Sequence, residues 1–589
     1  MTHNTQASQR LSYFTSLYEK SKNAAQNDLA LFDRHMRQYR GSTEIDGSTQ
    51  KAVTVRNITY ELIEGQVSSH IPPPKVDPTA YSEDKVRLAQ SVERLLVAVR
   101  DKLPYEQMND LDERFCYIYG GSVWFAEWDS LAGVGNRIGG VTLHCLSPKN
   151  FIPQPGIRAV EDMDYCFLRF DTTKAELVRK YGVPSASLSL AAREYDSEAY
   201  EGDIDEGATV ILCFYRDADG KIGEYAFSGE LTLTDIPDYY ARKRKFCTVC
   251  QSEEQNCLCE HPRFTLENQN EEKIHLHTLP GGTQVISAAH GEDGHISLPY
   301  YTPKRFPIVI RKNTSLEGSL FGASDCEAIR PQQQAINKIE SRILQKLLRA
   351  GVTPVVPEDA TITLNNSVFG QMIKMKPGES AAQYGKVDTT PDISQDIAEA
   401  TRLYDHAKRI LGISDALVGI SGSKNESGYA RQLQISQATG RLESKRKMKY
   451  TAYAELDRLI FEYHLAFADE PRRISYRDAY GRLHNATFNR YDFISPDETN
   501  GSFYYDDDYL FSVDLNGGIE AQRELLWEKN LENLRSGALG DPSMHATLLR
   551  YWQCQERAHY PYARENVEYF QNAIREEEKS NTDMGEVTL

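Results

Sequence analysis

Four cysteines and one histidine are concentrated in a short polar segment of the sequence. The pattern is Cys247-x2-Cys250-x6-Cys257-x-Cys259, with His261 two residues further on. Zinc takes four nitrogen or sulfur ligands in a tetrahedron, and a Cys-x2-Cys pair supplies two of them from one turn. Because Cys-x-Cys is tighter than the usual second pair, His261 could replace Cys257 or Cys259. We therefore predict a zinc ion held by Cys247, Cys250, Cys257 and Cys259, with His261 as the alternative ligand.

The surroundings of these cysteines favour a structural metal. Residues 242–245 are Arg-Lys-Arg-Lys and residues 253–255 are Glu-Glu-Gln, which is too polar for a buried core. Disulfides are disfavoured in a cytosolic protein. A loop that cannot form a core gains its fold from the metal, whose binding contributes on the order of 10 kcal/mol. The remaining cysteines are scattered, and we predict that they are core or incidental residues: Cys116, Cys145, Cys166, Cys213, Cys326 and Cys554.

Motifs of enzyme active sites are otherwise missing from the sequence. The run Gly419-x2-Gly422-Ser423-Lys424 lacks the spacing of a phosphate-binding loop and does not follow a strand. The aspartates at 506–508 could hold a divalent cation, although a solvated turn is the commoner use of such a run. No nucleophile, base and orienting group occur together. We predict that the protein is not an enzyme.

Composition and charge limit the classes of function further. The 589 residues are 40% apolar and 26% charged, which is ordinary for packed domains, and the length suggests three or more of them. Neither a signal sequence nor a transmembrane run is expected. The net charge of −18 excludes phosphate binding through bulk positive charge, but it permits a wall past which DNA slides, because such a wall repels a polyanion.

The elements that would position these residues follow from hydrophobic spacing. Apolar residues recur every three or four positions, which predicts helices over 11–39, about 55–69, and 83–102. From Cys116 onward the apolar residues recur about every second position, which is typical of strands. Residues 116–315 are therefore predicted to be mainly β-structure, with a helix near 173–181. Thr390 and Pro391 fit the start of a helix that ends before Gly412.

Two further helices carry most of the clustered basic residues. The helix over 325–350 has an apolar stripe of isoleucines and leucine beside a basic stripe, which is either a solvated face or a DNA-facing surface. A long helix follows from 429 to about 467, with a basic cluster in its first half and apolar residues in its second. The basic stripe of the earlier helix consists of Lys338, Arg342, Lys346 and Arg349.

Several short sequence segments, taken in order, resemble the portal (head-to-tail connector) family of tailed phages. Residues 55–65 (VRNITYELIEG) through Pro74 resemble its first wing helix, and 120–124 (GGSVW) with 146–153 (LSPKNFIP) resemble its first wing strands. Its entry into the stem is matched by 306–313 (FPIVIRKN) through 322–325 (GASD). Its passage from stem to tunnel helix is matched by 412–419 (GISDALVG) and 427–430 (SGYA). The resemblance covers most of the chain.

The resemblance implies an α+β portal-type subunit with a mixed wing, long stem and tunnel helices, a small clip and a helical crown, assembled as a ring. The implied boundaries are the N-terminal helices and wing at 1–324 with a Cys-rich insertion at about 240–265, stem helix 325–350, clip 351–390, stem helix 391–411, tunnel loop 412–428, tunnel helix 429–468, wing return 469–516, and crown with acidic tail 517–589. The tunnel loop then contains Gly419, Gly422, Ser423, Asn425 and Gly428, and Lys424 joins the basic stripe as a candidate that contacts DNA in the channel.

The implied function is a channel at one capsid vertex for genome packaging and ejection and for head-tail attachment. The expected partners are eleven further copies in a ring of 12, double-stranded DNA, a terminase motor, a major capsid or scaffolding protein and a head-tail adaptor, with no membrane. The location is the virion, after assembly in the host cytoplasm. Two alternatives stay open: a zinc-containing DNA-binding or DNA-processing protein, and a helical scaffold that forms monomers or dimers.

Overall fold

The structure is a computed structural model. It describes residues 2–44, 52–130, 132, 139–193, 207–247, 264–269, 271–278, 284–288, 295–349, 352–355, 364–367, 370–373, 385–388, 392–413, 428–477, 483–497, 502–513, 523–557, 560 and 563–586.

Helices occur at the start, in the centre and at the end of the chain. They are α1 (Thr2–Tyr39), α2 (Ile58–Glu64), α3 (Glu83–Lys102), α4 (Tyr105–Tyr119), α5 (Lys174–Tyr181), α6 (Asp325–Arg349), α7 (Ser394–Leu411), α8 (Gly428–Phe467), α9 (Arg523–Arg535), α10 (His545–Arg557) and α11 (Ala563–Glu586). Within the described part of the chain, no helix is both long and apolar enough to cross a membrane.

Strands are concentrated between α4 and α6 and occur again after α8. They are β1 (Pro74–Pro78), β2 (Gly121–Asp129), β3 (Gly140–Leu146), β4 (Phe151–Pro153), β5 (Tyr165–Thr173), β6 (Gly207–Arg216), β7 (Ile222–Ser228), β8 (Leu231–Ile236), β9 (Arg242–Cys247), β10 (Phe264–Gln269), β11 (Glu271–Thr278), β12 (Gln284–Ala288), β13 (His295–Pro299), β14 (Ile308–Lys312), β15 (Val352–Val355), β16 (Leu364–Ser367), β17 (Gly370–Ile373), β18 (Gly385–Asp388), β19 (Arg472–Arg477), β20 (Leu483–Phe488), β21 (Ile494–Pro496), β22 (Phe503–Tyr505) and β23 (Tyr509–Val513).

The strands form open antiparallel sheets. The largest has the order β4-β5-β6-β7-β8, and two three-stranded sheets have the orders β14-β2-β3 and β12-β11-β13. β23 pairs with β1, so Val513 lies opposite Pro74 and the region after α8 returns to the N-terminal part of the molecule. The protein therefore contains both helices and open antiparallel sheets, and the predicted α+β class is confirmed.

The second half of α8 runs through the main hydrophobic core. Leu456, Leu459, Ile460 and Tyr463 are fully buried, as their helical spacing predicts. The Tyr463 hydroxyl donates to the Ala126 carbonyl of β2 at 2.9 Å. This long helix is thus fixed against the β14-β2-β3 sheet over its apolar half.

Three local predictions need correction. Residues 116–119 are the end of α4 rather than the start of a strand, because this turn is buried on every side and so shows no amphipathic period. Gly120 ends α4 at a φ of 91°, where a Cβ atom would lie 2.2 Å from the Gly322 carbonyl oxygen. The helix expected around 55–69 is only Ile58–Glu64, and α7 begins at Ser394 rather than at Pro391.

Candidate functional site

The Cys-rich segment is closed at its base by a two-stranded ribbon. Cys247 is the last residue of β9, and its Cα lies opposite that of Phe264, the first residue of β10. Cys250, Cys257, Cys259 and His261 lie between these strands, outside the described residues. The zinc site therefore stays a prediction. The six other cysteines are free, and four of them are buried, as expected for core residues.

The predicted basic stripe lies on α6, which packs against α7. Lys338 is exposed, the Arg342 side chain is 57% exposed and the Lys346 side chain is 36% exposed. Arg349 is the last residue of α6, and its side chain lies outside the described residues. The stripe is therefore accessible along the part of the helix for which side chains are described.

An aspartate that the sequence analysis did not single out forms ion pairs with two of these basic side chains. Asp396, in the first turn of α7, accepts from Arg342 Nη2 and Lys346 Nζ, each at 2.5 Å. These two partners, Lys346 first, hold the pKa of Asp396 below its ordinary value. The carboxylate is nearly covered, with 8% of its side chain exposed. A large share of the positive charge of the stripe is thus neutralised by α7.

The apolar stripe of α6 is buried at one end of the helix and exposed at the other. Ile336 packs with Tyr404 and Leu411 of α7 and is fully buried. Further along, Leu347 is 50% exposed and Leu348 is 75% exposed, while Ile397 of α7 is 50% exposed. The end of the α6–α7 hairpin therefore presents uncovered apolar side chains.

The basic cluster of α8 is divided between the interior and the surface. Lys445 Nζ lies 2.7 Å from Asp325 Oδ2, and Lys449 Nζ lies 2.9 Å from Glu113 Oε1. Arg446 and Lys447 are exposed. Hence two of the four basic residues attach α8 to α6 and α4, and the other two face solvent.

A buried group of charges continues from Lys449. Arg311 of β14 lies 2.5 Å from Asp112 and 2.8 Å from Glu113, and all three side chains are at most 2% exposed. Burial alone would raise the pKa of Glu113, but Arg311 and Lys449 outweigh it and hold that pKa below its ordinary value. These contacts join α4, β14 and α8, and no local pattern in the sequence indicates them.

Of the residues predicted for the tunnel loop, the structure describes only the last one, Gly428. Gly428 is the first residue of α8. Gly419, Gly422, Ser423, Lys424 and Asn425 lie outside the described residues.

The three aspartates at 506–508 each have a protein partner, and Asp508 is exposed. Asp506 lies 2.8 Å from Lys85 Nζ, Asp507 accepts from the Tyr301 hydroxyl at 2.7 Å, and Asp508 accepts from the Thr79 hydroxyl at 2.9 Å. Across the described ranges, no three His, Cys, Asp or Glu side chains are grouped so that they could hold a metal. The run holds its loop against neighbouring elements.

A cleft of about 970 Å³ opens beside α8. Its walls are formed by residues 158–161, by Arg216, by parts of the segment 299–320 that include β14, by residues 504, 505 and 507, and by one face of α8 that includes Met448, Ala452 and Glu455. Glu462 also lines it, although only 4% of this residue is exposed. Sequence patterns gave no sign of this cleft, because its walls come from segments far apart in the chain.

Comparison with protein-family models and with curated protein sequences gives no match. Among solved structures, the chain is similar to one in the neck of an empty GTA particle computed with C6 symmetry. The sequence identity is 10% and the TM-score is 0.34, and the alignment covers 81% of this chain and 86% of that chain. At this level of similarity, the function has to be argued from the residues of the chain itself.

Proposed function

We propose that the protein is one subunit of a portal ring, the head-to-tail connector of a tailed phage or phage-like particle, through which double-stranded DNA passes. The observation that carries the proposal is the α6–α7 hairpin followed by the long helix α8. The hairpin combines an accessible basic stripe with apolar side chains that need a covering surface, and it stands where the family resemblance puts the stem.

The distribution of charge supports contact with DNA along these helices. α6 has five basic and three acidic residues, and residues 428–449 of α8 have six basic and one acidic, in a chain whose net charge is −18. An acidic molecule with local basic surfaces can repel a polyanion overall and still make brief phosphate contacts. Such contacts suit DNA that must move without being held.

The uncovered end of the hairpin supports assembly into a closed ring. Leu347, Leu348 and Ile397 are each at least half exposed, and burying each leucine would contribute roughly 1.5–3 kcal/mol. A head-to-tail interface with a fixed rotation covers such a surface in every copy and generates a ring. We propose a ring of about a dozen subunits by family resemblance.

In this proposal the chain has no catalytic role, and the ATP-driven motor is a separate terminase that docks on the ring. The other partners are a major capsid or scaffolding protein and a head-tail adaptor, and the location is the portal vertex of the virion. We further propose one structural zinc at 247–261, where it would order a polar segment between β9 and β10.

The deciding experiment is the solution mass of the purified full-length protein, with electron images of the same sample. We expect a closed ring of about twelve copies around an open channel. A monomer or dimer that persists across protein concentration and salt would overturn the proposal. It would then favour the helical scaffold or the zinc-containing DNA-processing protein.

A further inference from the structure

The cleft beside α8 has a local surplus of positive charge. Six basic and four acidic side chains line it, which gives a formal charge of +2 in a chain whose net charge is −18. Two of the basic residues are already paired, because Arg305 and Arg458 each lie 3.3 Å from Glu462. The other four form no ion pair with an acidic side chain among the described residues. We call them the basic rim: Arg158, Arg216, Lys304 and Lys312.

The basic rim is accessible to a ligand. Arg158 and Lys304 are exposed, and Arg216 and Lys312 are half-buried. Arg216 donates to the backbone carbonyls of Met163 and Lys304, at 3.2 Å and 3.0 Å, and these contacts leave its charge uncompensated. The rim can therefore attract an anionic group into the cleft, although the chain as a whole is acidic.

The cleft lies along one edge of β14. Successive side chains of a strand point to opposite faces of its sheet. Ile308 and Ile310 therefore project from one face and Val309 from the other, yet all three line the cleft. A cleft that is lined from both faces of a strand borders its edge. β14 is an outer strand of the β14-β2-β3 sheet, so this edge is the one that faces away from β2.

Half of the backbone groups of β14 point to this edge. In an antiparallel pair, alternate residues form the hydrogen bonds to the neighbouring strand. The Asn313 N–H donates to the Gly120 carbonyl at 3.0 Å, so the backbone groups of Ile308, Ile310 and Lys312 point away from β2. Within the part of the chain that the structure describes, no backbone group pairs with these three residues. Such an edge is a template for an added strand.

The rest of the cleft offers apolar surface of suitable size. Leu320 is buried, and Met448 and Ala452 of α8 line the same space. The volume of about 970 Å³ is at the upper end of the range for small-molecule sites. An extended peptide segment uses such a volume better than a single ion does, because alternate side chains reach the apolar wall and the rim.

We infer that this cleft binds an extended acidic peptide segment of a partner protein, which adds to β14 as a further strand. Main-chain hydrogen bonds to Ile310 and Lys312 hold the segment, and the basic rim selects carboxylate side chains. Apolar side chains at the alternate positions lie against the floor of the cleft. The cleft lies within one subunit, so the inference does not rest on the proposed ring.

The test is fluorescence anisotropy of a labelled hexapeptide, in which glutamates alternate with valines, with the full-length protein. We expect saturable binding, and we expect Lys304→Glu combined with Lys312→Glu to weaken it at least about tenfold, because two charges of the rim change sign. Lys20→Glu combined with Lys75→Glu is the matched control. It makes the same change of net charge at exposed lysines outside the cleft and should retain the wild-type affinity.

A second peptide tests the addition of a strand. The same hexapeptide with every backbone nitrogen methylated keeps its carboxylates but cannot donate main-chain hydrogen bonds, and it should not bind. Equal binding of the methylated peptide would overturn the inference, as would equal affinity in the rim variant and wild type, or no binding of the first peptide to wild type.

Two further measurements exclude other occupants. We expect a short DNA duplex not to displace the peptide, and we expect the peptide not to change the mass of the assembly. Competition by DNA would assign the rim to phosphates, and release of subunits by the peptide would place a second copy in the cleft. Either result would overturn the assignment to an acidic segment of a partner protein.

Discussion

Arg311 and Lys449 neutralise two carboxylates that lie almost wholly inside the protein. Removing one partner of such a group would leave an uncompensated buried charge, which costs about 3–5 kcal/mol, although the intact pairs contribute much less than that. Their main consequence is positional. Because only one register of α8 brings Lys445 to Asp325 and Lys449 to Glu113, these ion pairs fix the helix along its axis.

A buried histidine makes the stability of the core depend on pH. Burial, followed by Arg472, lowers the pKa of His464 to about 3, and its Nδ1 donates to the Ile460 carbonyl at 2.7 Å. The folded pKa is below the unfolded value of 6.5. The stability from neutral His464 is therefore fully present above pH 6.5 and falls as the pH drops towards 3, by about 1.4 kcal/mol for each unit.

We therefore expect His464→Gln to flatten the fall of the urea midpoint between about pH 6.5 and pH 4, since glutamine keeps a donor but takes up no proton. The measurement is urea unfolding at several pH values. His484→Gln, an exposed position on β20, should retain the wild-type slope. Parallel slopes in wild type and His464→Gln would contradict the assignment.

The predicted zinc site is tested at single cysteines. We expect the wild type to contain about one zinc per subunit and Cys250→Ser to lose it, because a tetrahedral site needs four donors. Elemental analysis of the purified proteins measures this. Cys554→Ser, a half-buried cysteine elsewhere, should retain the metal.

The same analysis identifies the fourth ligand. If His261 replaces a cysteine, one of Cys257→Ser and Cys259→Ser keeps the metal while His261→Asn loses it. Wild-type protein without zinc would refute the site.

In the proposed portal, the α6–α7 hairpin would combine contact with DNA and the attachment of its two helices to each other. Asp396 attaches α7 to α6 through Arg342 and Lys346, and in doing so it masks positive charge that DNA would otherwise meet. Lys338 has no such acid among its described neighbours and stays accessible. Under the proposed function, the hairpin would therefore make only weak contacts with the phosphates of passing DNA.

Asp396→Asn should expose that masked charge. We expect tighter binding of a short DNA duplex, because Arg342 and Lys346 lose their acidic partner and become free to contact phosphates. The salt dependence of the association constant should become steeper by up to about two phosphate contacts. Fluorescence anisotropy over a range of salt concentrations measures both. Glu399→Gln, which removes an exposed partner of Arg402 on the same helix, should change the salt slope less. An unchanged slope in Asp396→Asn would argue against a DNA-facing stripe.

On the scale of the whole molecule, the exposed end of the hairpin is the surface that the proposed ring would cover. Large apolar side chains remain uncovered there, whereas the second half of α8 is fully enclosed by the core of one subunit. The chain therefore folds around α8, and in the proposed ring the far end of α6 would contact another copy. Assembly and folding would use different surfaces.

Leu348→Glu should separate assembly from folding. We expect rings to give way to monomers, since each interface loses roughly 2 kcal/mol of apolar burial and gains a charge that must be desolvated. Mass photometry measures the assembly, and circular dichroism with urea unfolding should show an unchanged monomer. Leu483→Glu, at a 66% exposed position on β20, is the matched control. Intact rings in Leu348→Glu would place the interface elsewhere.

The sequence by itself determined the long helices and the α+β class. The apolar period of α3 and α6 predicted their bounds to within two residues, because each buries one stripe and such a stripe repeats every three or four positions. The bounds of α8 were predicted from its helix-favouring composition without proline. The last turn of α4 escaped this reasoning, since it is buried all round and has no stripe.

Only the tertiary structure decided which charged side chains pair with each other and which segments form the walls of the cleft. Asp396 and Arg342 are 54 residues apart, Glu113 and Lys449 more than 300, and the walls of the cleft come from five separate segments. Local periodicity tells only whether a side chain faces inward or outward along one element. The choice of partner depends on how distant elements pack, and the free energy of a buried charge depends on that partner.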